Sequence, residues 1–266
     1  MQEIYQLAIE SSIKAGEAIM EIYNSDNFEI TEKADDSPLT KADFESNKVI
    51  VNHLKKTGIP IISEEEKQTD FEVRKKWSTC WIIDPLDGTK EFIKRNGEFT
   101  VNIALVENNS PIFGIIYVPV TRELFVGDVS GEKSLKVVVD NSFRVVDFES
   151  NALEIKPSKK TTTLARIVGS RSHMNELTEN FVNQQKLNFE KIEIVSKGSS
   201  LKFCLVAEGK ADIYPRFAPT MEWDTAAGHA ICKAVGVDVI NQSTQEEMRY
   251  NKENLLNPHF LVRKNG

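Results

Sequence analysis

The sequence predicts a layered α/β protein, with an antiparallel sheet packed on two helices in its first half and alternating strands and helices in its second. Three observations predict it. Residues 4–22 space Ile4, Leu7, Ala8, Ala15, Ile19 and Ile22 at helical intervals. Residues 99–139 hold successive β-rich runs broken by short polar segments. From residue 165 onward, β-like and helical runs take turns, as in an α/β layer.

After the opening helix, residues 24–38 read as a polar loop. Thr40 then reads as an N-cap, with Asp43 three residues on and an apolar stripe of Phe44, Val49, Ile50 and Leu54 behind it. Gly58 closes this second helix. Residues 59–63 are short and β-like and run into Glu64-Glu65-Glu66. Residues 77–84 read as a buried strand ending in a carboxylate. Strands follow at 99–106 and 112–118, with a hairpin-length segment between them, and again at 124–129 and 135–139. Residues 156–163 are polar and include Pro157, which places the boundary between an N-terminal half, 1–158, and a C-terminal half, 159–266. In the second half, strands are expected at 165–170, 192–195, 211–215 and 259–262, and helices at 174–185, 200–208 and 225–235.

With 40% hydrophobic and 27% charged residues, the chain of 266 can bury a real core. A net charge of −7 gives no general attraction to nucleic acid or anionic membranes, so neither is an expected partner. A small polyanion would need bound cations or a local basic pocket. Cys80, Cys204 and Cys232 are odd in number and widely spaced, which argues against a disulfide framework or zinc site and for a reducing cytosol. No signal peptide is read at the N-terminus, and no apolar run approaches the ~20 residues of a membrane helix.

The densest chemical signal is Asp84-Pro85-Leu86-Asp87-Gly88-Thr89. Pro85 fixes φ and removes a donor, so a turn is expected there. Gly88 allows the backbone to approach a bound group. Such a turn can aim Asp84, Asp87 and the Leu86 carbonyl at one point, a set of hard oxygen ligands suited to Mg²⁺. A solvated Pro-Gly turn is the plain alternative, but the apolar run Trp81-Ile82-Ile83 before it favours metal. Glu64-Glu65-Glu66 also follows an apolar run. It is either a solvated charge run or the source of one more acid, if its strand lies beside that of Asp84. Several carboxylates in one cleft repel each other unless a cation sits among them. In Glu222-Trp223-Asp224-Thr225-Ala226-Ala227-Gly228, Asp224 opens a helix of small residues, and spacing leaves a plain N-cap and a site near an anion both open. Arg171-Ser172-His173, Ser199 with Lys202, and Arg216 could supply donors for a second phosphate. His53, His173, His229 and His259 have no metal-ligand spacing, and all but His173 read as structural.

Together these motifs resemble the inositol monophosphatase superfamily of metal-dependent phosphatases. The runs at 84–105, 170–173, 198–217 and 223–230 look like those of bacterial CysQ-type 3′(2′),5′-bisphosphate nucleotidases; residues 130–163 are the part without a match. The resemblance implies an αβαβα sandwich, two or three Mg²⁺ ions, sensitivity to Li⁺, and hydrolysis of adenosine 3′,5′-bisphosphate to AMP and phosphate, with the phosphosulfate as a further substrate, in sulfur assimilation. It implies that Glu64, Asp84 and the Leu86 carbonyl hold one ion, and Asp84, Asp87 and Asp224 another. Thr89 and Asp43 would form a relay to the attacking water, with Glu64 also counted as catalytic. The Gly88 and Thr89 amides would hold the reacting phosphate, ringed by Glu64, Leu86, Asp87 and Asp224. His173, Ser199, Lys202 and Arg216 match nucleotide-binding positions. A cytoplasmic location is implied, with peripheral association at the inner membrane face as a second expectation. Monomer and homodimer stay open. Two alternatives remain at this point: an inositol or sugar phosphatase of the same superfamily, and a non-catalytic nucleotide sensor.

Overall fold

The computed structural model describes residues 2–25, 30–32, 38–142, 148–159, 162–169 and 175–264. From the N-terminus its elements are α1 (Glu3–Tyr23), β1 (Ile30–Glu32), β2 (Pro38–Thr40), α2 (Lys41–Leu54), β3 (Ile61–Ser63), α3 (Phe71–Arg74), β4 (Thr79–Asp87), α4 (Thr89–Ile93), β5 (Thr100–Glu107), β6 (Ser110–Val118), β7 (Glu123–Asp128) and β8 (Lys133–Val138). They continue as α5 (Phe148–Asn151), β9 (Leu153–Ile155), β10 (Leu164–Gly169), α6 (Glu176–Gln185), β11 (Lys191–Ser196), α7 (Leu201–Ala207), β12 (Ile213–Arg216), α8 (Ala226–Lys233), β13 (Asp238–Asn241) and β14 (Phe260–Arg263).

The first sheet has seven strands in the order β3-β4-β5-β6-β7-β8-β9, with β3 parallel to β4 and every later pair antiparallel. The second has five, in the order β11-β10-β12-β14-β13. Side chains alternate across the first sheet, so its two faces feed different cores. Trp81, Ile83 and Ile103 join Ile9, Ile19 and Ile50 under α1 and α2. Ile82 and Ala104 face the other way, toward Phe203, Ile231 and Phe260 of α7, α8 and the second sheet. Beyond the second sheet, Val182 of α6 packs on Ala165 and Ile213. The layers therefore run helix, sheet, helix, sheet, helix, as the resemblance implied. β9 is the last strand of the first sheet, and β10 is the first of the second.

Local chemistry explains the main elements. The Thr40 hydroxyl accepts from the Ala42 N–H, and the Asp43 carboxylate accepts from the Thr40 N–H at 2.7 Å, closing a capping box at the start of α2. Asn108 and Asn109 take positive φ of 49° and 65°, which makes a two-residue hairpin turn between β5 and β6. A Cβ on Gly114 would lie 2.4 Å from the Ala227 carbonyl oxygen, so only glycine lets α8 lie this close to β6.

Three expectations about the elements are corrected. The stretch at 24–38 is not all loop, since residues 30–32 form β1, antiparallel to β2. Pro85 does not end the strand: β4 runs on to Asp87. Pairing jumps from Asp84 opposite Asn102 to Asp87 opposite Thr100, which leaves Pro85 and Leu86 in a bulge. A proline without an N–H is tolerated where the ladder is interrupted. The second sheet also carries an additional strand, β13, antiparallel to β14. Among the described residues no helix is long and apolar enough to cross a membrane.

Candidate metal centre and cavity

Three acids far apart in sequence meet at the end of the first sheet. Because β3 and β4 are parallel, with Ser63 opposite Ile83, Glu64 and Asp84 leave neighbouring strand ends side by side. The Glu64 N–H continues the pairing to the Ile83 carbonyl at 3.3 Å. Ser46 of α2 donates to the Pro85 carbonyl at 2.6 Å and pins the bulge. Asp224 comes from the other half. It ends a 3-10 turn, Glu222–Asp224, and its carboxylate accepts from the Met221 N–H at 2.8 Å. One oxygen each of Glu64, Asp84 and Asp224 lies within 4.8 Å of the others.

Asp224 is not the N-cap of the following helix. Thr225 holds that position, and its hydroxyl turns back to the Glu222 carbonyl at 3.2 Å. The Asp224 carboxylate likewise folds back over its own turn, and so points at the acid centre.

This centre is electrostatically strained without a cation. Burial pushes the Asp84 carboxyl well above its ordinary value, and the charges of Glu64, Asp87 and Asp224 push it further the same way. Asp224 is pushed up to about 8, by burial first and then by Asp87. A bound divalent cation reverses both effects, and an all-oxygen donor set is what hard cations take. The residues present fit such an ion.

Asp87 has a different set of partners. Its Oδ2 accepts from the Ser200 N–H at 2.6 Å and from Asn102 Nδ2 at 3.3 Å, with the Ser200 hydroxyl 2.6 Å away. Asp87 therefore ties the bulge to the start of α7. Thr89 opens α4 and donates to Asp43 Oδ1 at 3.1 Å, while the Leu86 carbonyl oxygen lies 3.4 Å from the same hydroxyl. Asp43 is buried, and its Oδ2 also accepts from the Thr40 hydroxyl at 2.5 Å. Gly88 sits between these groups at φ 94°, a conformation that glycine adopts without strain.

A cavity of 410 Å³ opens beside the acids, lined among others by Asp87, Gly88, Ser199, Lys202, Arg216 and Asp224. Lys202 is buried, donates to the Ser199 carbonyl at 2.9 Å and lies 5.8 Å from the Tyr214 ring centre. Burial lowers its pKa, while Asp87 acts to raise it. Arg216 donates to the Pro219 carbonyl at 3.1 Å, and its buried Nε–H has no partner among the described residues. An anion in the cavity can supply one. Ser199 is held at φ 42° with its hydroxyl 3.3 Å from Thr100 Oγ1.

His173, Arg171 and Ser172 lie outside the described residues. Buried His229 is placed between the Tyr250 hydroxyl and Glu247, both at 3.1 Å. His53 reaches the Val49 carbonyl, and His259 packs on Phe217. Ser46, Asn102 and Ser200 went unnoticed in the sequence. Ser200 stood in the Gly198-Ser199-Ser200 run, where a small hydroxyl before a helix was the available signal.

Fold and site together define a layered αβαβα protein with a cluster of carboxylates that fits a cation beside a cavity that holds Lys202 and Arg216. The model of the inositol monophosphatase family matches residues 1–264, and the chain belongs to that family. It is 40% identical over 265 residues to the 3′(2′),5′-bisphosphate nucleotidase CysQ of Salmonella typhimurium, covering 98% of each chain. The Escherichia coli K12 protein of the same name is 40% identical over 251 residues, 93% of this chain and 94% of that one. The crystal structure of CysQ from Bacteroides thetaiotaomicron superposes with a TM-score of 0.89 at 47% identity, covering 99% of this chain and 98% of that one. Inositol monophosphatase-II of Staphylococcus aureus shares the fold, with a TM-score of 0.75 at 18% identity, over 100% of this chain and 90% of that one.

Proposed function

We propose that the chain is a Mg²⁺-dependent phosphatase that hydrolyses the 3′-phosphate of adenosine 3′,5′-bisphosphate to AMP and phosphate, with the phosphosulfate as a second substrate. The observation that carries this reading is the convergence of Glu64, Asp84 and Asp224 within 4.8 Å beside a cavity that also holds Lys202 and Arg216. The names of the relatives at 40% identity support the substrate.

Glu64, Asp84, Asp87, Asp224 and the Leu86 carbonyl are the donors for two or three ions. Bound there, Mg²⁺ supplies a Lewis acid that neutralises phosphoryl oxygens and acidifies a water. The chain's own residues do the rest. The Thr89 hydroxyl donates to Asp43, so a lone pair on its oxygen can accept from the attacking water. As the water attacks phosphorus and the bond from phosphorus to the ribose 3′ oxygen breaks, the water's proton passes to Thr89 Oγ1 and the Thr89 proton to Asp43 Oδ1, while the released 3′ oxygen takes a proton from solvent. The Thr40 N–H and hydroxyl hold Asp43 in place for this transfer. The Gly88 and Thr89 amides steady the reacting phosphate, and Ser199, Lys202, Arg216 and His173 bind the nucleotide and its second phosphate. The halves 1–158 and 159–266 divide the labour, the first carrying most metal donors and the second the nucleotide site.

Phosphate release from a panel of phosphomonoesters, with and without Mg²⁺, tests this. The adenosine bisphosphate is expected to turn over fastest, and only with the metal. Preference for inositol 1-phosphate or fructose 1,6-bisphosphate would replace the substrate. Calorimetric binding of the bisphosphate in Mg²⁺ without phosphate release would establish a sensor instead.

A further inference from the structure

We propose that a buried polar bridge of Arg74, Asn251, Lys252 and Glu222 sets the separation of Glu64 from Asp224, and so sets the affinity of the acid centre for a divalent cation. The inference rests on the metal reading above. Glu64 rides on the first sheet, whereas Asp224 sits on a turn that no β-ladder joins to that sheet among the described residues. Ser200 ties the Asp224 end of that turn to Asp87; the Glu222 end needs its own tie to the Glu64 side.

A run of hydrogen bonds, joined by short stretches of chain at 68–69 and 222–224, supplies it. On the Glu64 side, Gln68 Nε2 donates to the Ser63 carbonyl at 2.6 Å, and Arg74 Nε donates to the Thr69 carbonyl at 2.9 Å. Arg74 is buried, and its Nη1 donates to Asn251 Oδ1 at 2.7 Å and to the Lys252 carbonyl at 3.1 Å. Asn251 Nδ2 returns a bond to the Arg74 carbonyl at 2.9 Å. On the Asp224 side, Glu222 has no exposed surface and accepts from the Asn251 N–H at 2.5 Å, the Lys252 N–H at 3.0 Å and Lys252 Nζ at 2.5 Å. The Glu222 N–H is held by the Leu255 carbonyl, and Asn257 Nδ2 donates to the Met221 carbonyl at 2.6 Å. Asn251 itself keeps a left-handed φ of 57°, which asparagine adopts more readily than most residues other than glycine.

Burying an arginine and a glutamate side chain is costly, and apolar packing would serve stability as well. What the bridge offers beyond stability is directional control over two carboxylates that must share ions. Arg74, Asn251, Lys252 and Glu222 touch no reacting atom and act as positioning residues.

Mn²⁺ titration of the purified chain by calorimetry tests the proposal without relying on turnover. In Arg74→Lys and Glu222→Gln the dissociation constant is expected to rise about tenfold or more, the usual effect of losing a partner behind a metal ligand. Lys252→Met, whose ammonium lies partly at the surface, is the variant to read if the buried changes prevent folding. Asp212→Asn is the control. It breaks the Arg166–Asp212 pair in the second half, so it should lower Tm yet leave the constant within about twofold. Unchanged Mn²⁺ binding in the folded bridge variants, or equal weakening in the control, overturns the proposal. A wild-type chain that binds no Mn²⁺ removes the metal reading itself and the bridge's role with it.

Discussion

On one side of the cavity, Glu64, Asp84 and Asp224 are short side chains placed by the backbone: a parallel strand end, a bulge and a 3-10 turn. On the other, Lys202 and Arg216 are long side chains on α7 and β12, each with one hydrogen bond to a nearby carbonyl among the described contacts. The acids lie close enough to repel one another, and a cation placed among them relieves that repulsion. The wall with Lys202 and Arg216 leaves a buried Arg216 N–H unmatched among the described residues, a donor that an anion can satisfy. On the proposed function, one region governs chemistry and the other governs which phosphate ester is held.

The contrast can be broken by substitution. Asp84→Asn should lower kcat by about three orders of magnitude at saturating Mg²⁺, while the metal-free fold stays at least as stable, since a buried like charge is lost. Steady-state kinetics and thermal unfolding check both halves; near-normal kcat would remove Asp84 from the metal centre. Thr89→Val keeps the shape and deletes the hydroxyl, so kcat should fall about 10²- to 10⁴-fold with KM little changed. A rise in KM alone would assign Thr89 to binding. Lys202→Met or Arg216→Ala should raise KM for the bisphosphate about 10- to 100-fold, the weight of one hydrogen bond to a charged group, and barely affect a monophosphate. Equal effects on both substrates would erase the distinction between the two walls.

The smallest expected effect is on stability with pH. Asp224 has a folded value of about 8 against an ordinary 3.8. A carboxyl raised in the folded state adds stability that is fully present below 3.8 and lost as pH rises through about 8. Metal-free protein should therefore lose Tm across that window, and Mg²⁺ should flatten the slope. His229 works in the opposite sense, because burial lowers its value from 6.5 and stability falls as pH drops below it. Asp224→Asn should shrink the alkaline loss to the part that the raised Asp84 carboxyl contributes, and leave the acid one.

Much of this was legible in the sequence, for physical reasons. The Thr40 and Asp43 pair announces a capping box because both partners lie within four residues. The hexamer at 84–89 announces its site because a bulge packs several donors into adjacent positions. Asp224 could not be read so far, since its direction depends on a turn clamped by residues 251–257. Ser200 was equally hidden: its bonds to Asp87 and to the Asp224 carbonyl join segments 113 and 24 residues away. Pro85 misled because a proline inside a strand reads as a stop unless the bulge opposite Val101 is known. Local chemistry fixed the parts of the site, and long-range hydrogen bonds fixed how they face each other.

Anomalous diffraction from crystals soaked in Mn²⁺ addresses the metal centre most directly. The result expected is a peak roughly 2 Å from carboxylate oxygens of Glu64, Asp84 and Asp224 together, at the mouth of the cavity that holds Lys202 and Arg216. A fully soaked crystal with no peak there, or with Mn²⁺ only at other surface acids, would contradict it.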